Sequence, residues 1–257
     1  MQVVLLCGGM GTRLREETEF KPKPMVEIGD RPILWHIMRH YSTYGHESFV
    51  LCTGYRGDII KDYFLNYRRV VNDVEIDLGS GSSKVLGEPQ DLSWTVRIQD
   101  SGIDTLTGSR IKAALKYVDD DVFLATYGDG VANIDIDALI EHHKKSGKLA
   151  TVTAVRPSSR FGELSLDHDT VQSFVEKPQT GEGWINGGFF VLSKTVFDNV
   201  PESKNVPLEA GVLEDLAALG ELSVYRHTGF WQCMDTYREL CLLQSFWQEG
   251  RAPWKSW

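Results

Sequence analysis

The residues with the clearest chemical meaning lie in Leu5-Leu6-Cys7-Gly8-Gly9-Met10-Gly11-Thr12-Arg13-Leu14 and in Lys21-Pro22-Lys23-Pro24, which follows closely. Three glycines after a short apolar run let the chain turn sharply and leave backbone N–H groups unshielded. Bare amides at a strand end form a concave, locally positive nest that suits phosphate. Arg13 adds a planar fork for phosphate oxygens and Lys23 a point charge, on a segment stiffened by Pro22 and Pro24. The same glycines also fit a plain tight turn. The string is not the dinucleotide fingerprint, because Leu14 stands where the third glycine belongs, and it is not a Walker loop, because no Gly-Lys-Ser/Thr follows.

Four more local groups carry polar chemistry: Gly128-Asp129-Gly130, Glu176-Lys177-Pro178, Asn186-Gly187-Gly188 and Met234-Asp235-Thr236. Each has a plainer alternative. Asp129 also suits a turn cap, Glu176-Lys177 a solvated strand end, Asn186-Gly187-Gly188 a hairpin turn, and Asp235 the N-cap of a closing helix.

The string GGxGTRL followed by KPKPMVEIG resembles the signature of the sugar-1-phosphate nucleotidyltransferases. The resemblance implies that Leu6, Cys7, Gly8, Gly9, Met10, Gly11, Thr12 and Arg13 hold a nucleoside triphosphate and that Lys23 sits at the reacting phosphate. Arg160-Phe161-Gly162, Glu176-Lys177-Pro178, the run from Ile185 to Leu192, Gly229 to Thr236 and the Ala252–Trp257 tail resemble the branch that joins CTP to α-D-glucose 1-phosphate. By the same likeness Thr107, Arg110 and Gly128 help hold the nucleotide. Glu176, Asn186 and Gly187 face the sugar, and Lys177 faces its phosphate. A Rossmann-like mixed sheet and a homohexamer are also implied. Cys7 replaces a more usual alanine and Met10 a more usual leucine, both mild changes. Glu163 places a charge beside the expected sugar pocket. The likeness is weakest over 72–93.

Nucleotidyl transfer explains why such residues belong together. The attacking oxygen is already mostly dianionic near neutral pH, because a phosphate monoester's second pKa is about 6. No protein base is needed. The difficulty is to bring two polyanions together in line and to stabilise the departing pyrophosphate, which calls for fixed positive charge. A hard cation, normally Mg2+, wants carboxylate oxygens and substrate phosphates, so Asp129 and Asp235 are the expected metal pair. Arg13, Lys23, Asp129 and Asp235 form the expected catalytic set.

Elements must position these groups. Val3–Leu6, Phe49–Cys52, Trp94–Gln99, Val122–Thr126 and Ala150–Val155 read as strands. Helical spacing runs from Pro32 to Tyr41, from Asp58 to Tyr67, from Thr107 to Val118 and from Asp135 to Lys145. Strands alternating with helices predict an α/β fold, a mostly parallel mixed sheet flanked by helices. The half after Phe161 turns to shorter strands, with helical stretches over Lys194–Val200, Leu208–Leu219 and from Thr236. A single domain over 1–257 is expected, nucleotide-binding over about 1–130, with a smaller sugar-side lobe beyond it. The 72–93 stretch reads as a long Gly/Ser-rich loop, either a flap, an oligomer arm or plain surface.

Of 257 residues, 42% are hydrophobic and 25% charged, with a net charge of −9, so a nucleic acid polymer is a poor partner. Cys7, Cys52, Cys233 and Cys241 form no CxxC and suggest reduced, buried thiols. The chain shows no signal peptide pattern and no apolar run of membrane-spanning length, so a cytoplasmic protein with small-molecule substrates is expected. UTP or dTTP, or another sugar phosphate, remains an alternative to CTP and glucose 1-phosphate. A non-catalytic sensor of sugar nucleotides would be free to lose the four charged residues. A nicotinamide oxidoreductase lacks an acidic residue after Phe49–Cys52 to hold a ribose.

Overall fold

A computed structural model describes residues 1–87, 92–157, 163–167, 170–175, 183–201 and 205–257. Its centre is one eight-stranded sheet: β1 (Val3–Cys7), β2 (Ser48–Thr53), β3 (Thr95–Asp100), β4 (Val122–Tyr127), β5 (Ala150–Val155), β6 (Ile185–Asn186), β7 (Phe190–Ser193) and β8 (Leu222–His227). β1 lies between β2 and β4, both parallel to it, with Leu6 opposite Cys52 and Tyr127. β3 runs parallel along the outer edge of β2. β7 is antiparallel to both β4 and β5, and β8 is parallel to β5. The expected mostly parallel, mixed sheet is therefore present.

Helices cover both faces because β1 is apolar on both. Val3 and Leu5 pack on one side with α1 (Ile33–Thr43), whose Ile33, Leu34, Ile37, Met38 and Tyr41 are buried at helical spacing. Val4 and Leu6 pack on the other with Ile111 and Ala114 of α3 (Thr107–Ala114). Pro32 precedes α1, where its fixed φ suits a helix start, and Gly45 follows it at φ +76°. α2 (Gly57–Leu65), α4 (Ile136–Ser146) and α5 (Tyr237–Gln248) complete the long helices among the described residues.

Several expectations change. The 72–93 stretch contains an antiparallel hairpin, Val74–Asp77 against Ser82–Val85, turned by Asp77, which accepts the N–H groups of Gly79 and Ser80. Its residues are solvent-facing, so no alternation of buried and exposed positions announces it. The Asp58–Tyr67 helix breaks at Asn66 and restarts as Tyr67–Val71. Lys194–Val200 shortens to a 3₁₀ turn, Lys194–Phe197. Leu208–Leu219 divides into a wide turn, Leu208–Leu213, and a short helix, Glu214–Ala218, at non-helical Ala210. Gln99 is buried where strict alternation points it outward. All four cysteines are free, but only Cys7 and Cys52 are buried, and Cys241 is exposed. No helix among the described residues is long and apolar enough to cross a membrane.

Candidate active site

The carboxyl ends of β1 and β4 open into a cavity of about 670 Å³. Its floor is the glycine turn after β1, with Gly8, Gly9, Gly11, Thr12 and Arg13 in the lining. Gly11 sits at φ +63°, and a Cβ there would press on Lys23 Cβ at 3.1 Å and on Thr18. Only glycine meets both demands, so the turn lies directly against the lysine it serves. At Gly8 a Cβ would fall 2.1 Å from the Arg110 guanidinium.

Arg110 explains that closeness. Its guanidinium donates to the carbonyls of Thr53 (2.7 Å), Gly8 (3.3 Å) and Ile103 (3.1 Å), and the residue is 4% exposed. Arg110 lines the cavity, but these three bonds make it a brace that fixes three loop ends to one another. Thr107 is also a wall residue. Its hydroxyl accepts the Leu208 N–H and donates to Glu209. Gly128 anchors the end of β4 through its N–H on the Leu6 carbonyl at 3.0 Å.

The two aspartates are brought together by a short ribbon. Gly130–Ala132 pairs antiparallel with Trp231–Cys233, Cys233 opposite Gly130, and the Met234 N–H donates to the Asp129 carbonyl at 2.8 Å. Asp129 therefore enters the ribbon at one strand and Asp235 leaves it at the other. The N-cap of α5 is Thr236, in a capping box with Glu239, and not Asp235, whose position also suited that role.

Between the carboxylates lies Lys23, held in a buried 3₁₀ turn, Lys23–Met25. Its ammonium donates to Asp129 Oδ2 at 2.8 Å and to Asp235 Oδ1, and Arg13 Nη1 donates to Asp235 Oδ2 at 2.6 Å. Burial works against the ammonium, but the two carboxylates overcome it and hold the Lys23 pKa above its ordinary value. The four expected catalytic residues thus form one cluster of two cations and two anions. Lys23 is buried, whereas the Arg13 side chain is 74% exposed and can move to a ligand.

Asp129 and Asp235 offer only oxygens, and no group of three or more His, Cys, Asp or Glu side chains is assembled as a metal site among the described residues. Two carboxylates with the rest of the shell left to water and phosphate fit a Mg2+ ion, whose binding would displace the Lys23 and Arg13 bonds that hold three of their four oxygens.

Other expected residues fall less centrally. Met10 is 54% exposed and is not in the cavity wall. Leu6 and Cys7 line it. Asn186 is no hairpin turn: it belongs to β6, opposite Ala154, and its Nδ2 donates to the Tyr127 hydroxyl at 3.1 Å. Gly187 is buried against Val155. Glu176, Lys177 and Arg160-Phe161-Gly162 lie outside the described residues, as does the side chain of Glu163. Sequence reasoning missed Tyr127, Glu209 and Pro207, all in the cavity wall. Tyr127 stands directly before Gly128-Asp129, which is signal enough. Glu209 sits in a stretch that reads as ordinary amphipathic helix and carries no such signal.

The Nucleotidyl transferase family model matches residues 2–236. The chain is 48% identical over 258 residues to the glucose-1-phosphate cytidylyltransferase of Salmonella typhi, covering 100% of each chain. It is 28% identical to a D-glycero-alpha-D-manno-heptose 1-phosphate guanylyltransferase of Campylobacter jejuni, covering 85% of this chain and 88% of that one. The fold is similar to a crystal structure of HddC from Yersinia pseudotuberculosis complexed with GMP-PN. That match has a TM-score of 0.68 and 25% identity, over 96% of this chain and 99% of that one.

Proposed function

The chain belongs to the nucleotidyl transferase family, and we propose that it transfers a cytidylyl group from CTP to α-D-glucose 1-phosphate, giving CDP-glucose and pyrophosphate. The observation that carries this reading is the Lys23 ammonium held between Asp129 and Asp235 on a glycine-floored cavity. The full-length identity to a cytidylyltransferase, against a weaker match to a guanylyltransferase, supports CTP as the donor.

A sugar-phosphate oxygen attacks the α-phosphorus of CTP. The new P–O bond forms as the bond to the bridging α–β oxygen breaks, and pyrophosphate leaves with that electron pair. The glycine turn and Arg13 grip the triphosphate. Lys23, set at the cavity by its buried turn, turns its ammonium from the two carboxylates to the α-phosphoryl group and neutralises charge there. Arg110 keeps Gly8 and the Ile103 loop in register with β2 while this happens. Asp129 and Asp235 would hold Mg2+, which supplies Lewis-acid stabilisation of phosphate charge when bound. Lys177 would meet the sugar's phosphate, and Glu176, Asn186 and Gly187 its hydroxyls.

On this reading the nucleotide lies on the side built mainly from residues up to about 130 and the sugar on the remainder. A homohexamer is proposed from the resemblance, and the uncovered Ile76 and Leu78 of the 74–85 hairpin are consistent with self-association. Soluble substrates fit a cytoplasmic location. The test is turnover with CTP, UTP, dTTP and GTP, each with glucose 1-phosphate and Mg2+. The reading expects CDP-glucose to dominate; a larger kcat/KM with another nucleotide would replace CTP but leave the chemistry standing.

A further inference from the structure

The same cavity wall carries a second polar chain, in which the transfer chemistry gives Tyr127 and Glu209 no task. Leu208 N–H donates to Thr107 Oγ1 at 2.7 Å, and Thr107 Oγ1 donates to Glu209 Oε2 at 2.8 Å. The Tyr127 hydroxyl donates to Glu209 Oε1, and Asn186 Nδ2 donates to that same hydroxyl at 3.1 Å. The Gly188 N–H closes the chain on Asn186 Oδ1 at 2.9 Å. One carboxylate therefore links the start of α3, on the nucleotide side, through Tyr127 at the end of β4 to Asn186 of β6, on the sugar side.

The choice of a carboxylate is informative. Glu209 has no cation within ion-pair distance among the described residues, yet it lines a cavity that must accept two polyanions. Placing an uncompensated negative charge there opposes substrate binding unless its acceptors do something a neutral group cannot. Both oxygens receive hydroxyl protons, one from each side. A glutamine has one acceptor oxygen where the carboxylate has two, so in this arrangement it receives the proton of only one of the two hydroxyls. Only the carboxylate fixes the rotors of Thr107 and Tyr127 together. Burial, with Glu209 beside it, raises the Tyr127 phenol and keeps it a donor.

We propose that Glu209 is a positioning residue that locks the two substrate walls to each other through Thr107 and Tyr127, so that the nucleotide and sugar sites tighten as one. The proposal rests on the two-substrate reading above but not on the identity of the base. Because Thr107 and Tyr127 act through one shared group, their effects must not multiply.

The test is a double-mutant cycle of Thr107→Val and Tyr127→Phe, alone and combined, in native and Glu209→Gln backgrounds. It is run with the nucleoside triphosphate that the wild-type enzyme turns over best with glucose 1-phosphate. Each single substitution should lower kcat/KM about tenfold, and the pair should also lower it about tenfold. In the Glu209→Gln background neither should cost more than about twofold. Synergy should fall as well: saturating sugar phosphate should no longer lower the KM for the nucleotide. Multiplying effects, near one hundredfold for the pair, or unchanged costs in the Glu209→Gln background, would overturn the proposal. Thr107→Val exchanges a hydroxyl for a methyl and Tyr127→Phe removes one oxygen, each with little change of shape, so thermal midpoints near wild type separate a lost lock from a lost fold. Wild-type inactivity with every nucleotide would instead refute the two-substrate reading.

Discussion

Lys23 Nζ stands 2.8 Å from Asp129 Oδ2, in a turn that buries it, and the same ammonium also bonds Asp235. Removing it leaves two carboxylates facing each other beside a phosphate site. Lys23→Ala should therefore lose activity by a factor on the order of 10³ and stability by about 3 kcal/mol, since a partly buried charge pair is broken on one side. Arg13→Ala should lose activity with an unchanged melting temperature, because the Arg13 side chain is 74% exposed and surface ion pairs add little to folding. Melting curves beside initial rates separate the two.

Arg110 is expected to behave oppositely to a simple phosphate ligand. Arg110→Met strips donors from the carbonyls of Thr53, Gly8 and Ile103, which costs at least about 2 kcal/mol. The melting temperature should fall by roughly 5–10 °C, and the KM for the nucleotide should rise as the Gly8 turn loosens. A raised KM at full stability would place Arg110 on the ligand itself.

The site was largely legible in the sequence because chemistry constrains residue type at the phosphate loop. Arg13 and Lys23 lie far in sequence from Asp129 and Asp235 yet form one cluster with them, and the mostly parallel sheet follows from strands alternating with helices. Three kinds of signal were weak. The hairpin after Asn72 buries neither face, so periodicity had nothing to report. The break at Ala210 interrupts a pattern that reads as one helix, and Glu209 beside it lines the cavity. Arg110 is expected at the nucleotide by resemblance; its burial and three carbonyl partners add a bracing role that sequence does not show.

Two buried histidines set the acid limit of stability. Burial pushes His36 and His40 down to about 4, from 6.5. His36 Nε2 faces the Ile28 carbonyl while Nδ1 faces the Trp254 N–H at 3.4 Å, so the neutral ring is satisfied and a second ring proton would meet a donor. The unfolded chain binds protons more readily, so this stability is intact above pH 6.5 and declines as pH falls from 6.5 towards 4. The decline is on the order of 3 kcal/mol per histidine at most. Thermal melts at pH 7 and pH 4.5 should show it, and His36→Gln should flatten the slope. Equal slopes for the two proteins would remove His36 as its source.

Lys177 follows the Glu176 expected at the sugar. Lys177→Ala should raise the KM for glucose 1-phosphate at least tenfold and leave the KM for CTP within about twofold, since one phosphate charge partner is lost. Product assays at saturating CTP measure this; an unchanged sugar-phosphate KM would take Lys177 out of the site.

The carboxylate pair is the centre of the account, and Asp235→Asn tests it most directly. The substitution keeps size, and the α5 cap belongs to Thr236, so the melting temperature should stay close to wild type. Pyrophosphate release from CTP and glucose 1-phosphate, followed across a Mg2+ titration, should fall by about 10³ in kcat and need far more Mg2+ to saturate. Near-normal release at the wild-type Mg2+ requirement would contradict the role given to Asp235, and with it the charge arrangement around Lys23.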